Sequence, residues 1–227
     1  MRNNVQNKAE ELIIYPFGGN AKEALDSIRA QNAISEQWKI LGFLDDDKKK
    51  LGQTFEGYPV LGGYELAQKF SHAKILAVPG NPDNYRERDK LIQKLGVSKD
   101  RFATIADPSA RIASNALIGK NVLIMANVVI GTSAKVGDHC IILPNTVVSH
   151  DCIVHDFTII GANVTLSGFC EVGTQCYIGS GTSVRERVQI GNSSLVGLGS
   201  NVLKNIPEGV IAVGNPAQIL REAGQKK

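Results

Sequence analysis

His150 and Asp151 stand side by side in the segment Ser149-His150-Asp151-Cys152-Ile153-Val154-His155-Asp156, and together they are the side chains best suited to moving a proton. Imidazole ionises close to neutral pH. A neighbouring carboxylate can hold its tautomer and stabilise the imidazolium that forms. Gly168 follows eighteen residues later. With no side chain in the way, its backbone N–H can meet an oxygen on which negative charge is growing. A base and an amide donor are the minimum equipment for acyl transfer, provided the fold brings them together.

A six-residue repeat does so. From residue 110 to residue 205 it runs without an insertion, and the third position of all sixteen hexads, from Ile112 to Val202, is aliphatic. The first position, from Ala110 to Ser200, is always small, and glycine follows the aliphatic residue in eight hexads, among them Gly119, Gly131, Gly179 and Gly197. So short a period cannot bury its own apolar face, so the repeats must stack. The pattern predicts a parallel β-helix with three hexads, or eighteen residues, per coil. Adjacent coils lie about 4.8 Å apart, which places Gly168 directly after His150 along the stack. All four cysteines fall on the small inward position. Cys152 and Cys170 share a column, but a cytosolic protein is not expected to join them, and no C-x-x-C pair is present. No long loop leaves the solenoid, so ligands must use coil corners, a subunit interface or the preceding domain. A three-sided prism suits a trimer.

Residues 11–103 read as alternating strands and helices. Leu12 to Tyr15, Lys39 to Leu44 and Lys74 to Val78 are expected strands, Tyr58 to Leu61 an extended piece, and Ala21 to Ala30, Tyr64 to Phe70 and Asn84 to Leu95 helices. Such a sheet is open and parallel and binds ligands beyond the carboxyl ends of its strands. Those ends carry Gly18-Gly19-Asn20, Asp45-Asp46 and Gly80-Asn81. Glycines let a phosphate approach the backbone, and an acid accepts ribose hydroxyls. Without the full G-x-G-x-x-G, a redox dinucleotide is not expected. Phe102 to Ile105 is read as a hinge strand. Residues 1–103 thus form a small Rossmann-like domain and 104–227 the β-helix with a terminal turn, whose charged end, from Arg221, is expected to fray.

Composition excludes several functions. The net charge of +3 is spread along the chain, unlike a nucleic-acid-binding face. Lys48-Lys49-Lys50 follows Asp45-Asp46-Asp47 and reads as a solvated turn. No apolar run reaches membrane-spanning length, and the polar start lacks the features of a signal peptide, so a cytoplasmic protein is expected. His72 at a helix end and His139 at a polar corner are given no role. His150 and His155 have a spacing similar to that of zinc-binding histidines in β-helix enzymes of the γ-class carbonic anhydrase type. Ser114 and Thr132 occupy the places where a third ligand would come from other coils, so no metal is expected.

The chain resembles the bacterial sugar acyltransferases of the NeuD/PglD type along nearly its whole length. The resemblance rests on Phe43-Leu44-Asp45-Asp46, Gly57 to Gly62, Gly80-Asn81, His150-Asp151-Cys152 followed by Asp156-Phe157, and Val213 to Ala217. It implies a left-handed β-helix, a homotrimer and acetyl-CoA as donor. The implied reaction is N-acetylation of a nucleotide-linked amino sugar, often a 4-amino-6-deoxy sugar, for bacterial glycan synthesis. His150 matches the family's base, Asp151 its acidic partner and Gly168 the oxyanion donor. Asp45 and Asp46 match residues near the nucleotide. Gly179, Ser180, Gly197, Gly214, Pro216 and Ala217 match the CoA channel. Departures are Ile159 where a second histidine is frequent, Leu143 for an asparagine, Gln218 for a lysine, and the first loop, Gly18 to Ala21. The same corner would serve O-acetylation of a sialic-acid-like sugar, and a non-catalytic sugar-nucleotide-binding protein is the rival of another class.

Overall fold

The structure, a computed structural model, describes residues 9–224. The first half contains β1 (Glu10–Tyr15), α1 (Gly19–Ile34), β2 (Trp38–Leu44), β3 (Thr54–Phe55), β4 (Tyr58–Gly62), α2 (Leu66–Lys69), β5 (Lys74–Ala77) and α3 (Arg88–Gln93). The sheet order is β3-β4-β2-β1-β5, with every pairing parallel except β3–β4. β1 therefore lies between β2 and β5, where the strand order reverses and a crevice opens beyond the strand ends. In α1 the apolar positions Ala21, Ala24, Leu25 and Ile28 form one helical stripe. That stripe packs on Leu12, Ile14 and Leu76 of the sheet. The other face of the sheet packs Ile13, Leu44 and Ile75 against Ala67, Ile92 and Phe102.

The solenoid begins at β6 (Ile105–Ala106), and the expected hinge segment links the halves: Phe102 bridges to Ile75 of β5 while Ile105 pairs with Leu123 of the solenoid. β7 to β22 follow, one two-residue strand per hexad from Arg111–Ile112 to Asn201–Val202. They form three parallel sheets in which each residue pairs with the one eighteen positions on, as in Val129 with Val147. Small and aliphatic positions fill the interior, the four cysteines among them as free thiols. At every sixth position from Asn121 to Gly199 the backbone turns through the left-handed region. Corner glycines have a packing reason. A Cβ on Gly119 would stand 2.7 Å from the Gly137 carbonyl carbon, and one on Gly179 2.4 Å from the Leu198 nitrogen.

The outward second position of the hexad distinguishes the three faces. On one it is Ile105, Leu123, Ile141, Ile159, Tyr177 and Leu195. The first four are buried, and Leu123, Ile141 and Ile159 join the α1 side of the first domain in one apolar cluster. Each such side chain contributes about 1.5–3 kcal/mol when fully buried. The first domain thus docks on this face, while Val129 and Leu117 on the two free faces are exposed.

Arg88 ties the halves together. It is fully buried and donates to the carbonyl oxygens of Pro79, His139 and Phe157. His139 consequently departs from the expected polar corner. Its ring stacks on Phe157 at 4.7 Å, meets Phe102 edge-on at 4.9 Å and lies 2.9 Å from the Asn121 amide. Asn121 in turn pairs with both backbone polar groups of Ala77.

Other local expectations also shift. α1 runs longer than Ala21 to Ala30, and α2 and α3 are shorter than expected, with a 3₁₀ turn at Tyr85–Glu87 before α3. After Val202 the chain forms a hairpin, β23 (Val210–Gly214) and β24 (Ala217–Glu222), which extends the docking-face sheet. Arg221 and Glu222 therefore lie in a strand rather than fraying. The polar start, residues 1–8, and the last three residues, 225–227, lie outside the described residues.

Candidate active site

His150 follows Val147–Val148 and precedes Ile153–Val154, so it occupies the corner between the two free faces. That corner is the vertex opposite the docking face. Asp151, in the left-handed conformation that Asp tolerates, turns back so that its Oδ2 lies 2.8 Å from His150 Nδ1. This leaves Nε2 free. The imidazole lies over Gly168, where a Cβ would stand 2.6 Å from Nε2 and 2.5 Å from Cε1. Gly168 thus differs from Gly119 and Gly179: its missing side chain makes room for an imidazole, not for the next coil's backbone. Its N–H donates no hydrogen bond among the described residues, while its carbonyl accepts from Arg187 at 3.0 Å. His150 and Gly168, expected from the sequence to act together, therefore share one exposed corner, an imidazole beside an amide that donates to no described residue.

The seven residues expected to bind a nucleotide sugar, Gly18, Gly19, Asn20, Asp45, Asp46, Gly80 and Asn81, line one cavity of about 410 Å³ at the carboxyl ends of β1, β2 and β5. α1 starts there with no side-chain cap and no acid in its first turn, an arrangement that favours an anion. Asn20 Nδ2 donates to the carbonyls of Val78 at 3.2 Å and Gly80 at 3.1 Å, closing the cavity floor.

The two acids are more engaged than their sequence suggests. Asp45 Oδ2 pairs with Lys50 Nζ at 2.9 Å, and its Oδ1 accepts from the Asp47 N–H. Lys50 therefore turns into the cavity instead of solvating a turn. Asp46 accepts from the Tyr15 hydroxyl at 2.9 Å, from the Tyr64 N–H at 3.0 Å and from Lys94. Burial would raise the Asp46 carboxyl, but the hydrogen bonds from Lys94, Tyr15 and the Tyr64 backbone prevail and hold it below the usual carboxylate range. Burial, with Asp46 beside it, pushes the Tyr15 phenol up. Tyr15, Lys50 and Lys94 were not singled out from sequence. Tyr15 is the last residue of a strand whose end was already marked, which is the signal that could have found it.

Gly179, Ser180 and Gly197 lie on the corner between the docking face and the Val129 face. Gly214, Pro216 and Ala217 form the hairpin turn on the same edge, where the Gly214 N–H donates to Ser200 Oγ at 3.1 Å. Neither this edge nor the cavity adjoins the same chain's His150. The cavity lies at the docking face, where Gly80 approaches Ile159, across the prism from the His150 corner. His155 does not approach His150's partners either. It pairs with Glu171 at 2.8 Å, and among the described residues no cluster of three or more potential ligands could hold a metal ion. No helix among them is long and apolar enough to cross a membrane.

Residues 11–95 match the family described as the PglD N-terminal domain, and residues 102–209 the one described as the GMPPB C-terminal domain. UDP-N-acetylbacillosamine N-acetyltransferase of Bacillus subtilis (strain 168) is 34% identical over 111 residues, a match spanning 48% of this chain and 48% of that protein, so about half its length. PerB from Caulobacter crescentus, solved with CoA and GDP-perosamine, is 30% identical with a TM-score of 0.79, covering 93% of this chain and 97% of that one. The acetyltransferase domain of PglB from Neisseria gonorrhoeae FA1090, solved with acetyl coenzyme A, is 26% identical with a TM-score of 0.81, covering 94% and 100%.

Proposed function

The chain belongs to the hexapeptide-repeat sugar acyltransferases of the NeuD/PglD type, with a Rossmann-like domain before a left-handed β-helix, and from that premise we propose that it transfers an acetyl group from acetyl-CoA to the amine of a nucleotide-linked amino sugar. The acceptor is a 4-amino-6-deoxy sugar, in keeping with a relative solved with GDP-perosamine and another named for bacillosamine acetylation. The observation that carries the reading is the His150 corner. Nδ1 is held by Asp151, and Nε2 lies over Gly168, whose N–H donates no hydrogen bond among the described residues.

His150 Nε2 takes the proton from the sugar amine as its nitrogen bonds to the thioester carbonyl carbon. The Gly168 N–H donates to the carbonyl oxygen as negative charge gathers there. The C–S bond then breaks, and the departing sulfur takes up the proton from His150. Asp151 keeps Nδ1 protonated and steadies the charged ring. A positioned base contributes about 10²–10⁴-fold and one oxyanion donor about 3–4 kcal/mol.

Because the cavity and the His150 corner of one chain are on opposite sides of the prism, the sugar held by one copy reaches His150 of a neighbouring copy. A homotrimer of prisms supplies three such pairings. The edge carrying Gly179, Ser180, Gly197, Gly214, Pro216 and Ala217 supplies the donor channel. In the cavity, Lys50 and the start of α1 receive the phosphates, while Asp45 and Asp46 face the nucleoside. A cytoplasmic location is part of the same proposal.

The test is mass spectrometry of enzyme, acetyl-CoA and a panel of UDP-, GDP- and dTDP-linked amino sugars. One acceptor gaining one acetyl group is expected, with His150→Ala losing most of the rate. Mixing His150→Ala with a variant disabled in the cavity, Gly19→Trp, should restore activity through mixed trimers. CoA binding without transfer to any acceptor would sink the amino-sugar assignment, and a mixture as inactive as its parts would sink the shared site.

A further inference from the structure

The left-handed corner position is filled mostly by Asn, Ser, Asp or Gly, residues that accept a positive φ at low cost. A phenylalanine there is an outlier needing a compensating contact. At Phe157 the compensation is partial burial at the domain junction, where its ring stacks on His139 and its carbonyl accepts from Arg88. Phe169, with φ +62°, has no such burial and remains 45% exposed. What it does have is contact with the base. Its ring centroid lies 5.1 Å from that of His150, with the planes at 88°. The Arg187 guanidinium, one coil further on, lies 4.4 Å from the same ring centroid. The Phe169 N–H also donates to the His150 carbonyl at 3.1 Å.

Asp151 holds His150 at one atom, Nδ1, which leaves the imidazole free to rotate about that contact. We propose that Phe169 is a positioning residue for the base: its ring, seated by Arg187, fixes the plane of the His150 imidazole so that Nε2 stays over Gly168. The proposal rests on His150 being the proton acceptor. Its physical basis is that perpendicular aromatic contacts are directional, that a cation over the ring face restrains Phe169, and that transfer rates fall steeply with misplacement of the reacting atom. The unfavourable backbone conformation at Phe169 is the cost of placing a ring where Asn or Gly would turn the corner more easily.

Phe169→Asn separates catalysis from folding, because Asn suits the corner and removes the brace. The thermal midpoint should stay level or rise and the oligomer should persist. Meanwhile kcat should fall about tenfold, with KM for both substrates within about twofold of the parent. Since the base itself is intact, the fall should be similar across the pH–rate profile. Phe169→Tyr should restore most of the rate. A parental kcat in Phe169→Asn overturns the proposal, and so does a loss of rate that tracks dissociation of the oligomer, which would make Phe169 a subunit contact. His150→Ala, measured alongside, distinguishes the two levels. If it is inactive while Phe169→Asn is fully active, only the brace fails; if it too keeps its rate, the base assignment fails with it.

Discussion

Two kinds of glycine occupy the coil corners, and only atomic neighbours tell them apart. Gly119 is required because a Cβ would strike the Gly137 backbone, whereas at Gly168 it would strike the end of the His150 side chain. Backbone cannot yield cheaply, but a half-exposed imidazole can swing into solvent. Gly168→Ala should therefore lower kcat by about 10²-fold while the unfolding midpoint stays near that of the parent. Gly119→Ala should do the reverse, losing stability with its kcat retained. Steady-state kinetics and thermal melts of the two variants check this, and a Gly168→Ala enzyme with full kcat would remove the His150–Gly168 juxtaposition from the mechanism. At this scale the sequence was legible for His150, Asp151 and Gly168, because an unbroken period of six places them on one corner. It was not legible for Lys50, which reaches the cavity from beyond a turn, or for Lys94, which reaches Asp46 from another element.

The elements follow from periodicity, but their faces follow from a longer period. Every third hexad carries a large apolar residue at its outward second position, and those from Ile105 to Tyr177 pack against the first domain. A period of six alone does not show this, since the three faces alternate along the chain and only a comparison at eighteen separates them. Ile141, buried in that contact, tests the arrangement. Ile141→Ala should cost about 2–5 kcal/mol, read as a lower denaturant midpoint, with earlier proteolytic release of the first domain. An unchanged midpoint and cleavage pattern would mean that the domain docks elsewhere. The terminal hairpin escaped the same reasoning because Gly209, Gly214 and the prolines read as breakers, although β23 pairs with Leu195–Val196 as another coil strand would.

For the whole molecule, the junction between the halves contributes to the response to acid. Burial pushes His139 down to about 4 from its ordinary 6.5. As pH falls, the unfolded chain takes up this proton first, so the stabilisation from keeping His139 neutral is complete above about pH 6.5 and is lost progressively toward pH 4. Allowing for its partial exposure, the loss is about 2 kcal/mol. Denaturant unfolding at pH 7 and pH 4.5 should show a smaller difference for His139→Gln than for the parent, the carboxylates being common to both. Equal differences would show that His139 does not carry this dependence.

The division between sequence and tertiary structure is sharp in this protein. The hexad repeat by itself determined the β-helix, its inward residues and the vertical stacking of His150 on Gly168, because a solenoid turns chain spacing directly into distance. The strand ends of the first half likewise determined which residues line the cavity, since a parallel sheet gathers its carboxyl ends on one side. Only the tertiary structure decided which face of the prism receives the first domain, and hence that the cavity lies across the prism from the His150 of the same chain. That placement depends on contacts between residues far apart in the chain, such as Arg88 with the carbonyls of His139 and Phe157. No local period encodes them.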